Sequence, residues 1–220
     1  AVFFISMFEA LRLTSALNTG AIFALVPLLT AAIAYLVLRQ RLRAREVAAL
    51  LIAAAGTVFV VFDGSLERLL AVRLGAGERI FLVGCTVYAG YSPAIRRLDM
   101  GTSPLLVSCW TVIAGSLVLA LYAAPTILAT DWRAVEPVVY LGIVHLAVFT
   151  TAISFFLIQF ASTRLPQAKV MAYTYLVPAF VLATDGLVGG AWPSPSACAG
   201  VAVIAAAMAV LQQRAPDHPG

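Results

Sequence analysis

Few side chains in this sequence can do chemistry, and nearly all of them lie inside apolar runs. Glu9 stands within residues 1–16, with Arg12 three positions on and on the same helical face. A charge at a bilayer's centre costs about 2.5–3.5 kcal/mol on insertion scales. Glu9 is therefore read either as half of a local ion pair whose Arg12 reaches outward, or as a cavity-facing carboxylate that holds a cationic group or a proton. His145 opens a stripe that continues through Phe149, Ala152, Phe156 and Gln159 at helical spacing. Polar ends with aromatic rings between them suit a cavity wall, and the alternative is a histidine hydrogen-bonded within the packing. Tyr173, Val177, Phe180 and Thr184 form a second stripe, and Pro178 on the neighbouring face removes a backbone donor and so frees a carbonyl. Pro27 does the same in an earlier run. Asp185, beside Gly186, fits a gate or proton site, or an aspartate solvated at the membrane interface. Tyr88, Tyr91 and Trp110 fit a cavity wall or helix packing and interfacial aromatic belts equally well.

Several chemistries are set aside by what is missing. There is no Gly-x-x-x-x-Gly-Lys stretch, which argues against ATP-driven pumping. His145 and His218 are the only histidines, and His218 falls in the terminal tail, so no His-based metal site can be assembled and no cofactor is expected. Ser116, His145 and Asp185 would supply the residue types of an intramembrane enzyme, but no Gly-x-Ser-x-Gly motif accompanies them.

The elements that must position these residues are membrane helices. Residues 19–38 form an uncharged, mostly apolar run with Pro27 inside it, closed by Arg39, Arg41, Arg43 and Arg45. At 1.5 Å per residue, about 20 residues cover about 30 Å, the thickness of a bilayer's hydrocarbon core. The whole chain is 62% hydrophobic and 11% charged, with a mean hydropathy of +0.99. A soluble domain carries roughly a quarter charged residues, so the chain is expected to be an all-α polytopic membrane protein. Eight spans are predicted: 1–16, 19–38, 47–62, 80–95, 103–123, 138–162, 168–188 and 196–211. The stretch 63–79 is read as a loop and 212–220 as a disordered tail. Cys85, Cys109 and Cys198 lie within apolar runs and read as small core residues rather than a disulfide framework.

Loops rich in Lys and Arg stay cytoplasmic. With the Arg39–Arg45 loop inside, Arg96, Arg97, Arg164, Lys169 and Arg214 also fall inside, whereas the outer loops hold Arg68, Arg73, Arg79 and Arg133. The C-terminus is thereby expected in the cytoplasm. The net charge of +4 follows from this topology, and with no continuous basic face, nucleic acid is not an expected partner. The chain opens at Ala1 within an apolar segment, with neither an initiator Met nor a basic leader, and is expected to be truncated at its N-terminus.

The sequence also repeats itself. Arg12-Leu13-Thr14-Ser15-Ala16, followed by Leu25-Val26-Pro27, resembles Arg164-Leu165-Pro166-Gln167-Ala168, followed by Leu176-Val177-Pro178. Each copy leads into an Ala/Val-rich span. The copies lie five spans apart, an odd number, so matching helices would cross the membrane in opposite directions, as in many secondary transporters.

These motifs resemble those of the drug/metabolite transporter superfamily, and its EamA-type permeases in particular. Its pattern of Ala-Leu-x-x-Thr-Ser-Ala, then Leu-x-Pro-Leu-x-Thr, then a charged closing loop and an Ala/Gly-rich span reads here as Ala10 to Ala16, Leu25 to Thr30, Arg39-Gln40-Arg41-Leu42, and residues 47–61 with Gly56. The glutamate frequent in the family thirteen residues after the proline is Gln40 here, with Ala191 in the second copy. The resemblance implies two inverted five-helix halves, a 5+5 fold of which eight helices would be present: the last three of the first half in residues 1–62 and a complete second half in 80–211. It implies a secondary transporter of small organic metabolites or drugs, an exporter or exchanger in a bacterial inner membrane. Its substrate-binding or coupling residues would be drawn from Glu9, His145, Gln159, Tyr173, Thr184 and Asp185, with Pro27 and Pro178 as helix kinks. Protons are one coupling option, the lipid bilayer surrounds the chain, and a homodimer is one open assembly. An intramembrane enzyme or a non-transporting scaffold are the rival readings.

Overall fold

A computed structural model describes residues 1–70, 75–98, 101, 103–187 and 194–212, without the side chains of Leu17, Asp185 and Gly186. The expectations for Arg73, Ala191, Arg214 and the tail 213–220 lie outside the described residues. Among those described there is no strand. Among the described residues five helices are long and apolar enough to cross a membrane: Asn18–Leu38, Ala44–Val61, Pro104–Ala129, Pro137–Ser162 and Pro195–Gln212. The protein is therefore an integral, polytopic membrane protein.

Some of these five are interrupted, and the remaining predicted spans take other forms. The helix α1 (Val2–Leu11) is apolar but short. Residues 19–38 divide into α2 (Ala16–Phe23) and α3 (Val26–Leu38), followed by α4 (Ala44–Val61). The predicted loop 63–79 contains a short helix, α5 (Leu66–Leu70), and the start of α6 (Ala76–Arg97), whose ends bear Glu78, Arg79, Arg96 and Arg97. Next come α7 (Pro104–Ala129), α8 (Pro137–His145), a π-helical segment (Leu146–Ile153) and α9 (Ser154–Ser162). The predicted span 168–188 is broken into α10 (Gln167–Ala172), a 3-10 segment (Tyr173–Leu176) and α11 (Val177–Leu187), and α12 (Pro195–Gln212) closes the described chain.

Local chemistry explains the boundaries. The Ser15 side chain caps α2 by accepting from the Asn18 N–H at 3.2 Å. Ser103 caps α7 in the same way, with Pro104 and Pro137 pre-set in the first turns of α7 and α8. The chain leaves α3 through Arg39 in the left-handed region at φ 52°. It leaves α4 through Asp63 and Gly64, both at positive φ, the glycine taking this conformation without a Cβ penalty.

The chain forms two compact units. One comprises residues 98–165 with Ala1, and the other residues 2–97 and 166–220. In the first, α7 packs on α9 and on the π segment. Its outward faces are apolar and exposed, including Trp110, Leu121, Leu128 and Leu141, which suits lipid and not water. Cys109 lies on such a face and Cys198 is also exposed, so of the three free cysteines Cys85 alone is the buried core residue expected.

In the second unit α6 lies against α1 and α3, α10 lies against α3, and α4 lies along α12. Close approach depends on small residues, as between membrane helices generally. A Cβ on Gly84 would stand 2.6 Å from the Ser6 Cβ, and a Cβ on Gly200 would stand 2.5 Å from the Val60 Cγ2. Two buried clusters result. Ala10, Ile22, Val26, Phe81, Cys85 and Ala89 join α1, α2, α3 and α6. Leu50, Ala53, Tyr175, Ile204 and Met208 join α4, the 3-10 segment and α12.

Candidate functional site

Two interrupted helices meet at one cavity in the second unit. Pro27 has no N–H to give the carbonyl of Phe23, four residues earlier, and Pro178 has none for that of Thr174. Both neighbourhoods tighten in response. The Leu25 N–H bonds to the Ile22 carbonyl at 3.0 Å, and the Val177 N–H bonds to that of Thr174, each a three-residue step. Phe23 and Thr174 both line a cavity of about 340 Å³. From α2 come Ala16, Gly20 and Phe23, with Ala24 after it, and from α4 come Thr57, Val60 and Val61. The 3-10 segment and α11 add Tyr175, Val177, Pro178, Val181 and Leu182. The volume is within the usual range for small-molecule pockets, ~300–1,000 Å³.

The lining is apolar with few polar groups. The Thr57 hydroxyl donates to the Ala53 carbonyl at 2.9 Å and that of Thr174 to the Met171 carbonyl at 2.7 Å, so both are engaged by their own helices. The Tyr175 side chain is 1% exposed, and its hydroxyl has no partner among the described residues. The described lining carries no charged side chain.

The residues singled out from the sequence are dispersed. Glu9 is half-buried and pairs with exposed Arg12 at 3.3 Å, the local ion pair that was one of its two readings. In the first unit His145 is exposed, ends α8 where the π segment begins, and stacks on Phe149 with centroids 5.1 Å apart. Gln159, at the other end of that stripe, is buried, and its Oε1 has no partner among the described residues. Tyr173 and Phe180 are exposed, and the exposed Thr184 returns its hydroxyl to the Phe180 and Val181 carbonyls at 2.9 and 2.8 Å. None of Glu9, His145, Gln159, Tyr173 and Thr184 lines the cavity. Asp185 lies one turn beyond Val181, its side chain outside the described residues. Tyr88 belongs to an aromatic cluster, stacked on Phe3 at 4.7 Å and near Phe23 at 6.2 Å.

Sequence reasoning missed the polar clasps that hold the second unit. At one end of α6 the Glu78 carboxylate accepts from the Thr14 hydroxyl, from the Asn18 amide at 2.8 Å, and from the Gly75 N–H at 3.0 Å. Towards the other end the Ser92 hydroxyl donates to the Gln167 Oε1. On that side Lys169 pairs with Glu46 at 2.8 Å, and Arg97 donates to the Val37 carbonyl at 2.7 Å. Asp63, at the far end of α4 from Glu46, accepts from the Ser194 and Ser196 hydroxyls, which hold its carboxyl below the usual aspartate range. Thr14, Glu46, Glu78 and Gln167 lie in a turn or a first helical turn, where a polar residue reads as an ordinary cap. The repeated motif was the signal that pointed at Thr14 and Gln167.

An all-helical chain with several lipid-compatible spans and a cavity between interrupted helices is of the membrane-transport class in its architecture. It belongs to the EamA-like transporter family, which it matches over residues 1–62 and 76–212. The uncharacterized transporter YyaM of Bacillus subtilis (strain 168) is 25% identical over 182 residues, which make up 83% of this chain and 60% of that protein. The chain thus spans about 60% of the length of this curated relative. A protein crystal structure with 24% sequence identity superposes with a TM-score of 0.75, covering 96% of this chain and 71% of that one. That likeness shows a common fold.

Proposed function

We propose that this protein is a secondary transporter that moves small organic molecules by alternating access, with the cavity at the Pro27 and Pro178 breaks as its binding site. The observation that carries the reading is the convergence of both proline-interrupted helices on one cavity. Interrupted helices are where transporters of this architecture expose backbone to substrate. Family membership supports transport over intramembrane hydrolysis. Ser116 and His145, the residue types an enzyme would need, are both exposed on the helices of the first unit.

We further propose that the two sequence copies are inverted repeats within a 5+5 fold, with the C-terminus in the cytoplasm of a bacterium and export or exchange as the direction of use. Two observations support this. The family matches in two segments that part between residues 62 and 76. The two copies of the turn motif also contact α6 fourteen residues apart, through Thr14 at Glu78 and Gln167 at Ser92, which is about 21 Å along the helix. Inverted copies belong at opposite membrane faces.

The test is a ligand-dependent thermal stability scan of the purified chain against amino acids, nucleosides, sugars, organic cations and neutral aromatics at two pH values. A ligand at a hundred times its Kd stabilises the binding state by about 2.7 kcal/mol. The expected result is a selective shift, followed by flux of the same compound into proteoliposomes. A folded sample whose melting no compound shifts, and which passes none of them, would overturn the reading.

A further inference from the structure

We propose that the arginine cluster at one end of the second unit seats the phosphodiester headgroup of an anionic phospholipid, with Arg39, Arg41 and Arg97 as its cationic groups. The inference concerns the lipid partner of the chain and does not rest on the transporter reading of the cavity.

Three helix ends bring the cluster together. The span Asn18–Leu38 stops and the span Ala44–Val61 starts on either side of residues 39–43. That stretch therefore stands where two helices leave the hydrocarbon, at the depth of lipid headgroups. Arg39, Arg41, Arg43 and Arg45 are all exposed there. The third end is that of α6. The Arg97 guanidinium donates to the Val37 carbonyl at 2.7 Å, which holds it at the carbonyl two residues before Arg39, and Arg96 beside it is exposed as well.

The cluster lacks counter-charge. Of the described carboxylates in this unit, Glu9 and Glu78 lie towards the other end of α6, and Asp63 and Glu67 beyond the far end of α4. Glu46 alone is near, and its two oxygens are taken by Lys169 at 2.8 Å and by the Arg43 N–H at 2.9 Å. Among the described residues no carboxylate comes within ion-pair distance of Arg39, Arg41 or Arg97. Guanidinium groups gathered beside a low-dielectric medium repel one another. A phosphate diester takes two parallel N–H bonds from a guanidinium and relieves that repulsion. The adjoining surface selects a lipid over a dissolved anion. Tyr35, Leu36 and Val47 are large, apolar and exposed, about one turn from the arginines. Acyl chains gain by covering such a surface, and a free phosphate does not. Basic clusters at the end of a membrane span are a recognised seat for anionic lipid.

Native mass spectrometry of the full chain in a non-ionic detergent measures the Kd of single lipids. The probes are dioleoyl phosphatidylglycerol and dioleoyl phosphatidylcholine, which has the same chains and no net charge. Phosphatidylglycerol is expected to bind at least tenfold more tightly. Arg39→Gln with Arg41→Gln removes no hydrogen bond or ion pair found among the described residues. It should weaken phosphatidylglycerol at least fivefold, about the share of one arginine near an anionic headgroup, and leave phosphatidylcholine unchanged. Adding Arg97→Gln should erase the preference. Arg39→Lys with Arg41→Lys keeps the charge and should keep most of the binding. Arg68→Gln, beyond the far end of α4, is the control and should change nothing.

Equal affinity for the two lipids would overturn the proposal, as would a preference that survives the loss of all three arginines. If the triple variant does not fold, an undiminished preference in Arg39→Gln with Arg41→Gln overturns it equally. Equal weakening by Arg68→Gln would reduce the attraction to net charge and remove the site. Soluble glycerophosphoglycerol, the same headgroup without chains, and a Glu-rich peptide serve as competitors, and neither is expected to displace the lipid at concentrations near the lipid's own Kd. Displacement by the first would assign the cluster to a dissolved anion, and by the second to a protein partner, and either result overturns the lipid.

Discussion

The crossing of α4 and α12 makes the sharpest prediction about packing. Gly56 and Gly200 face each other there. A Cβ on Gly200 would lie 2.5 Å from the Val60 Cγ2 and 3.2 Å from the Phe59 Cδ1, and one on Gly56 would lie 3.0 Å from the Ile204 Cγ1. A methyl group needs ~3.5–4.0 Å, so Gly200→Ala requires a displacement of about 1 Å at that contact. Val60 is β-branched and stiff at its first side-chain torsion, so the movement must come largely from the helices. Separating two packed surfaces by 0.5–1 Å forfeits about a quarter to a half of each contact's attraction, and overpacking of this kind typically costs about 1–3 kcal/mol. The gain in helix propensity on going from Gly to Ala, about 1 kcal/mol, offsets only part of it. Gly56→Ala should cost less, because the Ile204 Cγ1 is the end of a side chain that can turn away. Gly142 in α8, with nothing within 4 Å of its Cβ position, serves as the control, and Gly142→Ala should be neutral or slightly stabilising. Thermal denaturation of the three variants in one detergent gives the ranking. A Gly200→Ala protein as stable as Gly142→Ala would show that the two helices do not meet this closely.

The other predictions concern charges. Lys169→Ala should lower stability by about 1–3 kcal/mol, because Glu46 loses a partner where both side chains are 13% exposed and keeps the Arg43 N–H at 2.9 Å. Adding Glu46→Ala should recover part of the loss, and a double-mutant cycle of melting temperatures measures how much. Asp63 has a folded pKa held below its unfolded value by the Ser194 hydroxyl first and the Ser196 hydroxyl second. Its contribution is therefore present above the unfolded pKa of about 3.9 and lost as pH falls through the lower folded value. Melting temperature should fall more steeply below about pH 4 in the natural protein than in Asp63→Asn, and parallel curves would remove this group from the acid response. His145→Ala, at the start of the π segment, should alter transport or its pH dependence while leaving expression intact. Unchanged flux at every pH would take His145 out of coupling.

Part of the helical pattern was legible because hydropathy and capping are local properties. The span expected from Ser103 begins with that residue as the cap of α7 and the arginines follow the end of α3, whereas Ser15, inside the predicted span 1–16, instead caps α2. The face that α11 turns to the cavity was not legible. Tyr173, Val177, Phe180 and Thr184 do share one face, and all four are exposed, whereas Thr174, Pro178, Val181 and Leu182 stand at the cavity; helical spacing groups residues on a face without telling which face packs inward. Along the other stripe a π segment intervenes, and His145 is exposed while Gln159 is buried. A π-helical stretch departs from the 3.6-residue period, so a periodicity count carried across it does not hold.

The clasps on α6 bear on how such a protein moves. Rocking between two states requires contacts at each membrane face that can be broken one set at a time, with a stiff element in common. In the second unit α6 is continuous for 22 residues, and its Glu78 end is held by the turn before α2 while its Ser92 end is held by the turn before α10. The first clasp is charge-assisted and draws on several donors, and the second is a neutral hydroxyl-to-amide bond. Hydrogen bonds to charged groups contribute about 1.5–3 kcal/mol and neutral ones about 0.5–1.5 kcal/mol, but the Ser92 end is reinforced by the Lys169–Glu46 pair and by the Arg97 bond to the Val37 carbonyl, so both ends are closed by charged groups. If the repeats are inverted as we propose, opening to either side requires one of these two sets to break while α6 keeps the other.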